Sequence, residues 1–403
     1  MIFQFISDYW EILLIPIISG LVGWITNVIA LKMTFYPLEF KGIQPFLGWQ
    51  GIIPSKAVKM AGISVNLMTT KLISVDEVFG RIEPPVASEL VSPMVKETAV
   101  KLVDEIMHSQ VSRLWRNMPL TLKNEIYETV IESIPAAVEN LMADMKDNIS
   151  ELLDLRKLVV DVLLDDKSLI NDIFLKVGNK EFKFIEVSGF YFGFLFGLVQ
   201  MAVFYFYNPW WMLPLFGVFV GFATNWLAIK LIFNPVNAVN LGFFKLQGIF
   251  IKRQEYVASE YAKIIENKIL TTERLFGYIL RGPKSAKFSE IIKKYSDKTI
   301  DDVVKKIIPK YNWLVAKKIE NSKNIALFRL KEEFPMAIGN MYAYAQTKMA
   351  IEETLRSKMA ALSEVEFVEF LRPVFQEDEF KLILVGAILG GLAGLAQYFA
   401  FFY

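Results

Sequence analysis

The sequence contains no cysteine and a single histidine, His108, among its 403 residues. Without cysteine there is no disulfide, no thiol nucleophile and no thiolate for zinc. One histidine cannot supply paired-imidazole or Cys-His chemistry, and its place after Met107 predicts a surface position. No Walker A loop and no Gly-x-Gly-x-x-Gly fingerprint occurs. Asp165-Asp166 and Glu377-Asp378-Glu379 fall in polar helical faces and read as solvated. The expectation is therefore no catalytic residue, no metal and no cofactor. The net charge is +1 and basic residues are dispersed among acids, which excludes a nucleic-acid partner.

Charge itself is missing from long stretches. Ile12–Met33 is apolar except for Ser19, Thr26, Asn27 and Lys32, while Val187–Tyr207, Trp210–Ile229 and Leu382–Tyr403 carry no charge. Each is about 20 residues or more, enough at about 1.5 Å per residue to cross a hydrocarbon core of about 30 Å. Four transmembrane helices are expected, over 11–33, 184–207, 210–233 and 381–403. The first is not expected to be a signal peptide. Asp8 and Glu11 stand where a basic region would, and Lys32 and Phe35 follow where small residues would.

Lysine and arginine are absent from 1–31, 184–229 and 382–403, so all 44 basic residues lie in or beside two long segments. The positive-inside rule predicts that both segments are cytoplasmic and both termini outside, with the Asn208-Pro209 turn. Tyr9, Trp10, Tyr205, Tyr207, Trp210 and Trp211 suit an aromatic belt on that outer side.

What is present is present twice. Gly23-Trp24-Ile25-Thr26-Asn27-Val28-Ile29-Ala30-Leu31-Lys32 recurs 198 positions later, beginning Gly221-Phe222-Ala223-Thr224-Asn225 and ending in Lys230. Gln50-Gly51-Ile52 recurs as Gln247-Gly248-Ile249, and Val78-Phe79-Gly80 as Leu275-Phe276-Gly277. Gly189, Gly193, Gly197 and Gln200 recur as Gly386, Gly390, Gly394 and Gln397. This is a tandem module rather than a short solenoid repeat. Module one covers 1–183 and closes with the span 184–207. Module two covers 208–381 and closes with the span 381–403. Each reads as span, interfacial stretch (34–54 and 234–251), cytoplasmic helices (55–181 and 252–379) and span.

The expected fold is all-α. Pro37 ends the first span, and the glycine- and proline-broken stretch after it reads as headgroup-level chain without strands. Ser74 with Glu77 forms a capping-box pattern, Ser92-Pro93 reads as a helix start, and Gly178 as a C-cap. Apolar residues at steps of three or four, from Ile134 to Val162 and from Phe334 to Leu362, predict amphipathic helices that pair with each other.

The sharpest candidate site is the polar pair Thr26-Asn27 with its copy Thr224-Asn225, inside the spans. Gly23, Asn27 and Ala30 share one helical face, as do Gly221, Asn225 and Ala228. One reading is hydrogen-bonded packing between the two modules. The other is a polar gate at a pseudo-twofold axis. The ladders Gly189, Gly193, Gly197 and Gly386, Gly390, Gly394 read as helix-packing faces that Gln200 and Gln397 extend. Lys32, Lys56, Lys59, Lys230, Lys252 and Arg253 lie near the membrane boundary, where they orient the spans or hold anionic lipid headgroups. Glu181-Phe182-Lys183 and Glu379-Phe380-Lys381 immediately precede the returning spans, where each carboxylate reads either as paired with a neighbouring lysine or as an exposed boundary charge of small energetic weight.

The segment Thr26 to Pro37, Thr-Asn-x-x-Ala-x-Lys-Met-x-Phe-x-Pro, resembles the opening signature of the YheB/YjiN-like bacterial membrane proteins, domain of unknown function 445. Gly51 to Lys56 and the two glycine ladders match further elements of that family, although Ile251 and Lys252 stand where module one has Pro54 and Ser55. The resemblance implies a bacterial cytoplasmic membrane protein and brings no reaction or substrate. A non-enzymatic scaffold or lipid-engaging protein is the first expectation, with membrane lipids and cytoplasmic protein partners. A transporter or channel of parallel repeats, oligomeric if four spans alone are too few, is the alternative.

Overall fold

The computed structural model describes residues 2–43, 47–207, 209–240, 242, 245–307, 316–372 and 379–401. It is all-α with two short hairpins. Its eight longest helices among the described residues are α1 (Ile2–Phe35), α2 (Pro84–Asn117), α3 (Leu120–Asp147), α4 (Asn179–Phe206), α5 (Met212–Phe233), α6 (Ser285–Ile307), α7 (Ala316–Gly339) and α8 (Glu379–Phe401). Four of them are long and apolar enough to span a membrane: Trp10–Phe35 within α1, then α4, α5 and Glu379–Ala400 within α8. They are the expected spans, extended by a turn or so where the helix outlasts the uncharged stretch.

The chain separates into two compact units that do not follow the sequence repeat. One contains Met1–Met68, Val160–Ile264 and Leu355–Tyr403; the other contains Thr69–Val159 and Ile265–Thr354. Each unit thus draws on both halves of the sequence. The chain first leaves the span unit at a π-helical turn, Met68–Leu72, and again at the matching turn Ile265–Ile269.

In the span unit, α1 packs along α4 and α5 packs along α8. The two pairs meet through Ile15, Phe204, Met212 and Leu213, and through the rings of Phe196 and Phe219 at 5.5 Å. After α1 the chain forms a hairpin, although its broken pattern predicts no strand. β1 (Lys41–Ile43) pairs antiparallel with β2 (Leu47–Trp49), and β3 (Val239–Asn240) with β4 (Lys245–Leu246). Gly42 and Gly242 adopt positive φ, 135° and 80°, which side chains resist, and such residues turn the chain too sharply for a helix. The repeated Gln-Gly pair closes each loop. Gly51 and Gly248 donate their N–H to Pro37 and Pro235 carbonyls, while Gln50 and Gln247 donate to Leu38 and Val236 carbonyls. Pro45, Phe46, Leu241, Phe243 and Phe244, expected at the headgroup layer, lie outside the described residues, as do Asn208, Glu377 and Asp378.

The second unit is built on four helices. α2 packs on α3 and α7, and α6 packs on α3 and α7, which closes a ring. Equivalent residues of the two sequence copies meet here, with the Phe79 and Phe276 rings 5.7 Å apart. Arg81 donates to the Met349 carbonyl and the Thr354 hydroxyl, both at 2.7 Å. Near the α2–α3 turn, Asp104 accepts from Trp115 Nε1 at 3.1 Å and the Tyr127 hydroxyl at 2.6 Å. Burial and the Asp104 carboxylate push the Tyr127 hydroxyl up to about 12.

Several local expectations change. Ser74 is an N-cap without a side-chain cap bond, so the capping box is not formed there. Ser92-Pro93 lies inside α2, because the helix has already started upstream, with Glu83 at its N-cap and Pro84 at its first position. The stripe from Ile134 is buried but cut at Asn148 and again before Leu155. The stripe from Phe334 is cut at Gly339 and at Ala350, whose φ is positive. Gly178 does cap the helix before it, with its N–H on the Phe174 carbonyl, and α4 starts immediately after.

Candidate functional site

The glycine ladders face the first span of their own copy, not the other copy. A Cβ built on Gly197 would sit 2.6 Å from Pro16 Cα, and Cβ atoms on Gly23 and Gly193 would press into the backbone carbonyls of Gly189 and Ser19. The second copy repeats this, with Gly221 against Gly386, Gly390 against Gly217 and Gly394 against Leu213. Residue numbers rise on one helix as they fall on the other, so each seam is antiparallel. The expected packing of modules through these faces is thus replaced by packing within modules. The ladder glycines let the facing backbone approach closely whether the residue opposite is Gly217, Ser19, Pro16 or Leu213.

The asparagines use the room so created. Asn27 Nδ2 passes beside Gly189 and donates to the Ile185 carbonyl at 2.6 Å, while Asn225 Nδ2 donates to the Leu382 carbonyl at 3.0 Å. Both asparagines and their neighbours Thr26 and Thr224 are buried, and each threonine hydroxyl turns back onto its own helix, to Gly23 and Gly221. Helical carbonyls carry a second lone pair, so these bonds cost no backbone partner. Asn27 and Asn225 bond to separate helices rather than to each other.

Gln200 lies in the first seam as expected, and its Oε1 accepts from Ser19 Oγ at 2.8 Å. Ser19 is a partner the sequence reading missed. Gly217 occupies the matching place in the second copy and has no hydroxyl. Gln397 Nε2 there has no hydrogen-bond partner among the described residues, and neither does Asn27 Oδ1. None of these seam residues is ionisable.

At the end of the bundle where the chain leaves the spans, a charge pair links the copies. Glu181, in the first turn of α4, is 0% exposed, and its Oε1 accepts from Arg253 Nη1 at 2.5 Å. The Arg253 guanidinium also lies 4.2 Å from the centre of the Tyr256 ring, and Lys180 Nζ lies 5.5 Å from it. A buried carboxylate is tolerated only with such a partner. Glu181 is therefore a structural charge rather than a boundary charge of small weight. Arg253, expected at lipid headgroups, has its charge committed to Glu181, and its side chain is only 19% exposed.

Lys252 donates to the Lys245 carbonyl of the hairpin at 3.0 Å, and Lys230 lies 4.7 Å over the Trp226 ring. Lys32, Lys59, Lys230 and Lys252 are exposed and Lys56 is half-buried. His108 is exposed on α2. No cluster of three or more metal-ligating side chains occurs among the described residues.

No family model matches the chain, and no solved structure matches it. It is similar to a UPF0754 membrane protein of Shouchella clausii, 30% identical over 103 residues, 23% of this chain and 27% of that protein. It is also similar to a UPF0754 membrane protein of Staphylococcus saprophyticus, 22% identical over 145 residues, 35% of this chain and 38% of that one. The chain thus aligns with roughly a quarter to two fifths of the length of the curated relatives it matches. Both bear the UPF0754 name, not the YheB/YjiN one that the signature residues suggest. With four apolar helices of spanning length, the chain is similar to bacterial membrane proteins of uncharacterised function.

Proposed function

We propose that this chain is a non-enzymatic, lipid-engaging protein of the bacterial cytoplasmic membrane, with closed rather than conducting spans. The observation that carries the reading is the use of both intramembrane amides. Asn27 and Asn225 are buried and donate directly to carbonyls of the adjoining span, in seams narrowed to backbone contact. A transport path would need those amides turned to water. The charge asymmetry supports cytoplasmic long segments with both termini outside. Lys32, Lys56, Lys59, Lys230 and Lys252 are the cations through which anionic headgroups would be held, at about 1 kcal/mol each.

Asn27→Ala with Asn225→Ala, in proteoliposomes, tests the closed-span reading. The variant should lose about 0.6 to 2 kcal/mol of bundle stability per site and leave solute leakage unchanged. Ion or solute flux through the wild type that the double variant alters, with stability unchanged, would favour the channel.

A further inference from the structure

The four-helix unit encloses a cavity of about 1050 Å³ that opens partly to solvent. Its wall on α2 extends from Val95 to Leu114, about 28 Å of helix at about 1.5 Å per residue. Ile106, Val130, Ile134, Val303, Leu330 and Phe334 typify its apolar lining. Glu125, Lys306 and Lys318 are its only charged lining residues among those described, and all three are exposed. Leu114 and Leu122 line it while 61% and 49% exposed. The backbone of α2 leaves helical geometry at Val111, which is itself a lining residue.

An apolar void of this size left empty loses the dispersion contacts of its walls, and water inside it finds few polar partners. Its lining selects the occupant. The wall is apolar along its length and its charged lining residues are all exposed, so it suits the hydrocarbon of an amphiphile whose polar head stays at the rim. An acyl chain occupies half of a hydrocarbon core of about 30 Å, so the wall is longer than one chain.

We propose that this cavity holds the acyl chains of a membrane phospholipid, with the headgroup at the exposed Lys306 and Lys318 edge. The inference rests on the lipid-engaging reading above, because it takes the bilayer that holds α1, α4, α5 and α8 as the source of the lipid.

The test uses the full chain, reconstituted in vesicles of anionic phospholipid doped with a diazirine-tailed phospholipid, then irradiated and mapped by peptide. Adducts are expected on the spans and also on cavity-lining peptides of α2, α3 and α6. In Ala99→Trp with Ala137→Trp, two lining positions fill the space. The α2 and α3 adducts should fall at least about tenfold, the affinity change that goes with two methylenes displaced from an apolar site. Adducts on the spans should not change. If the variant fails to fold, the wild-type map alone decides. Adducts confined to the spans would overturn the cavity proposal and leave the membrane reading standing, whereas adducts on neither would overturn both. Labelling of the cavity by a diazirine fatty acid but not by the phospholipid would overturn the assigned source.

Discussion

Removing Arg253 should harm the span bundle more than removing its partner, and the two losses should not add. Glu181 is wholly buried, and its second oxygen has no hydrogen-bond partner among the described residues. Arg253→Met would leave that carboxylate without its cation, a change that costs about 3–5 kcal/mol when a buried pair is broken from one side. Glu181→Gln keeps an acceptor for Arg253. The guanidinium retains the Tyr256 ring and some access to water, so the loss should be about 1–3 kcal/mol. Glu181→Leu with Arg253→Met removes both charges and should lie close to the wild type, since apolar replacement of a buried pair is often neutral or better. Equilibrium unfolding in detergent micelles, followed for wild type and the three variants, gives these values. If the double variant loses as much as the two single variants together, the pair is not coupled and the burial argument is wrong. If Glu181→Gln is the more damaging, the asymmetry is wrong.

Gly193→Leu or Gly390→Leu should cost about 1–3 kcal/mol in the same assay, because the new side chain meets a backbone carbonyl that cannot move aside; unchanged thermal stability would mean that the ladders are not in contact. Asp144 accepts from Lys294 Nζ at 2.7 Å, the Tyr295 hydroxyl at 3.1 Å and Asn148 Nδ2 at 2.7 Å, and the Lys294 bond holds its carboxyl below the usual range. A depressed folded value contributes stability in full above the ordinary carboxylate pKa of about 4 and loses it as pH falls through the folded value. Amides of α3 and α6 should therefore exchange faster as pH drops below about 4, after correction for intrinsic exchange, and Asp144→Asn should flatten that dependence. For topology, cysteines at Ser109 and Lys305, both exposed, should be shielded from impermeant thiol reagents in intact cells. Labelling of either from outside would reverse the orientation.

The four spans were legible because uninterrupted apolar sequence of that length has few other uses. Their ends shifted because a helix continues into charged sequence, as α4 does from Asn179, to satisfy its backbone. The polar and glycine positions were legible as well, but not their partners. A small-residue face identifies a close approach without naming the helix that approaches, and here the answer was the sibling span. The hairpins were hidden because β1 and β2 are three residues each and β3 and β4 are two, too short for any alternation to register. Glu181 was undervalued because a carboxylate beside an apolar run looks the same whether or not an arginine from the other half of the chain reaches it. The exchange of helices between copies, visible in Phe79 against Phe276, leaves no local sequence trace.

Closed spans in a protein that engages lipid are tested most directly by a structure of the full chain in anionic lipid nanodiscs, at a resolution that shows ordered water. Asn27 and Asn225 should then be dry, with their amides still on the Ile185 and Leu382 carbonyls, and headgroup density should stand beside Lys56 and Lys252. A continuous file of water past either asparagine, with its amide turned away from the neighbouring helix, would contradict both the packing and the function proposed from it.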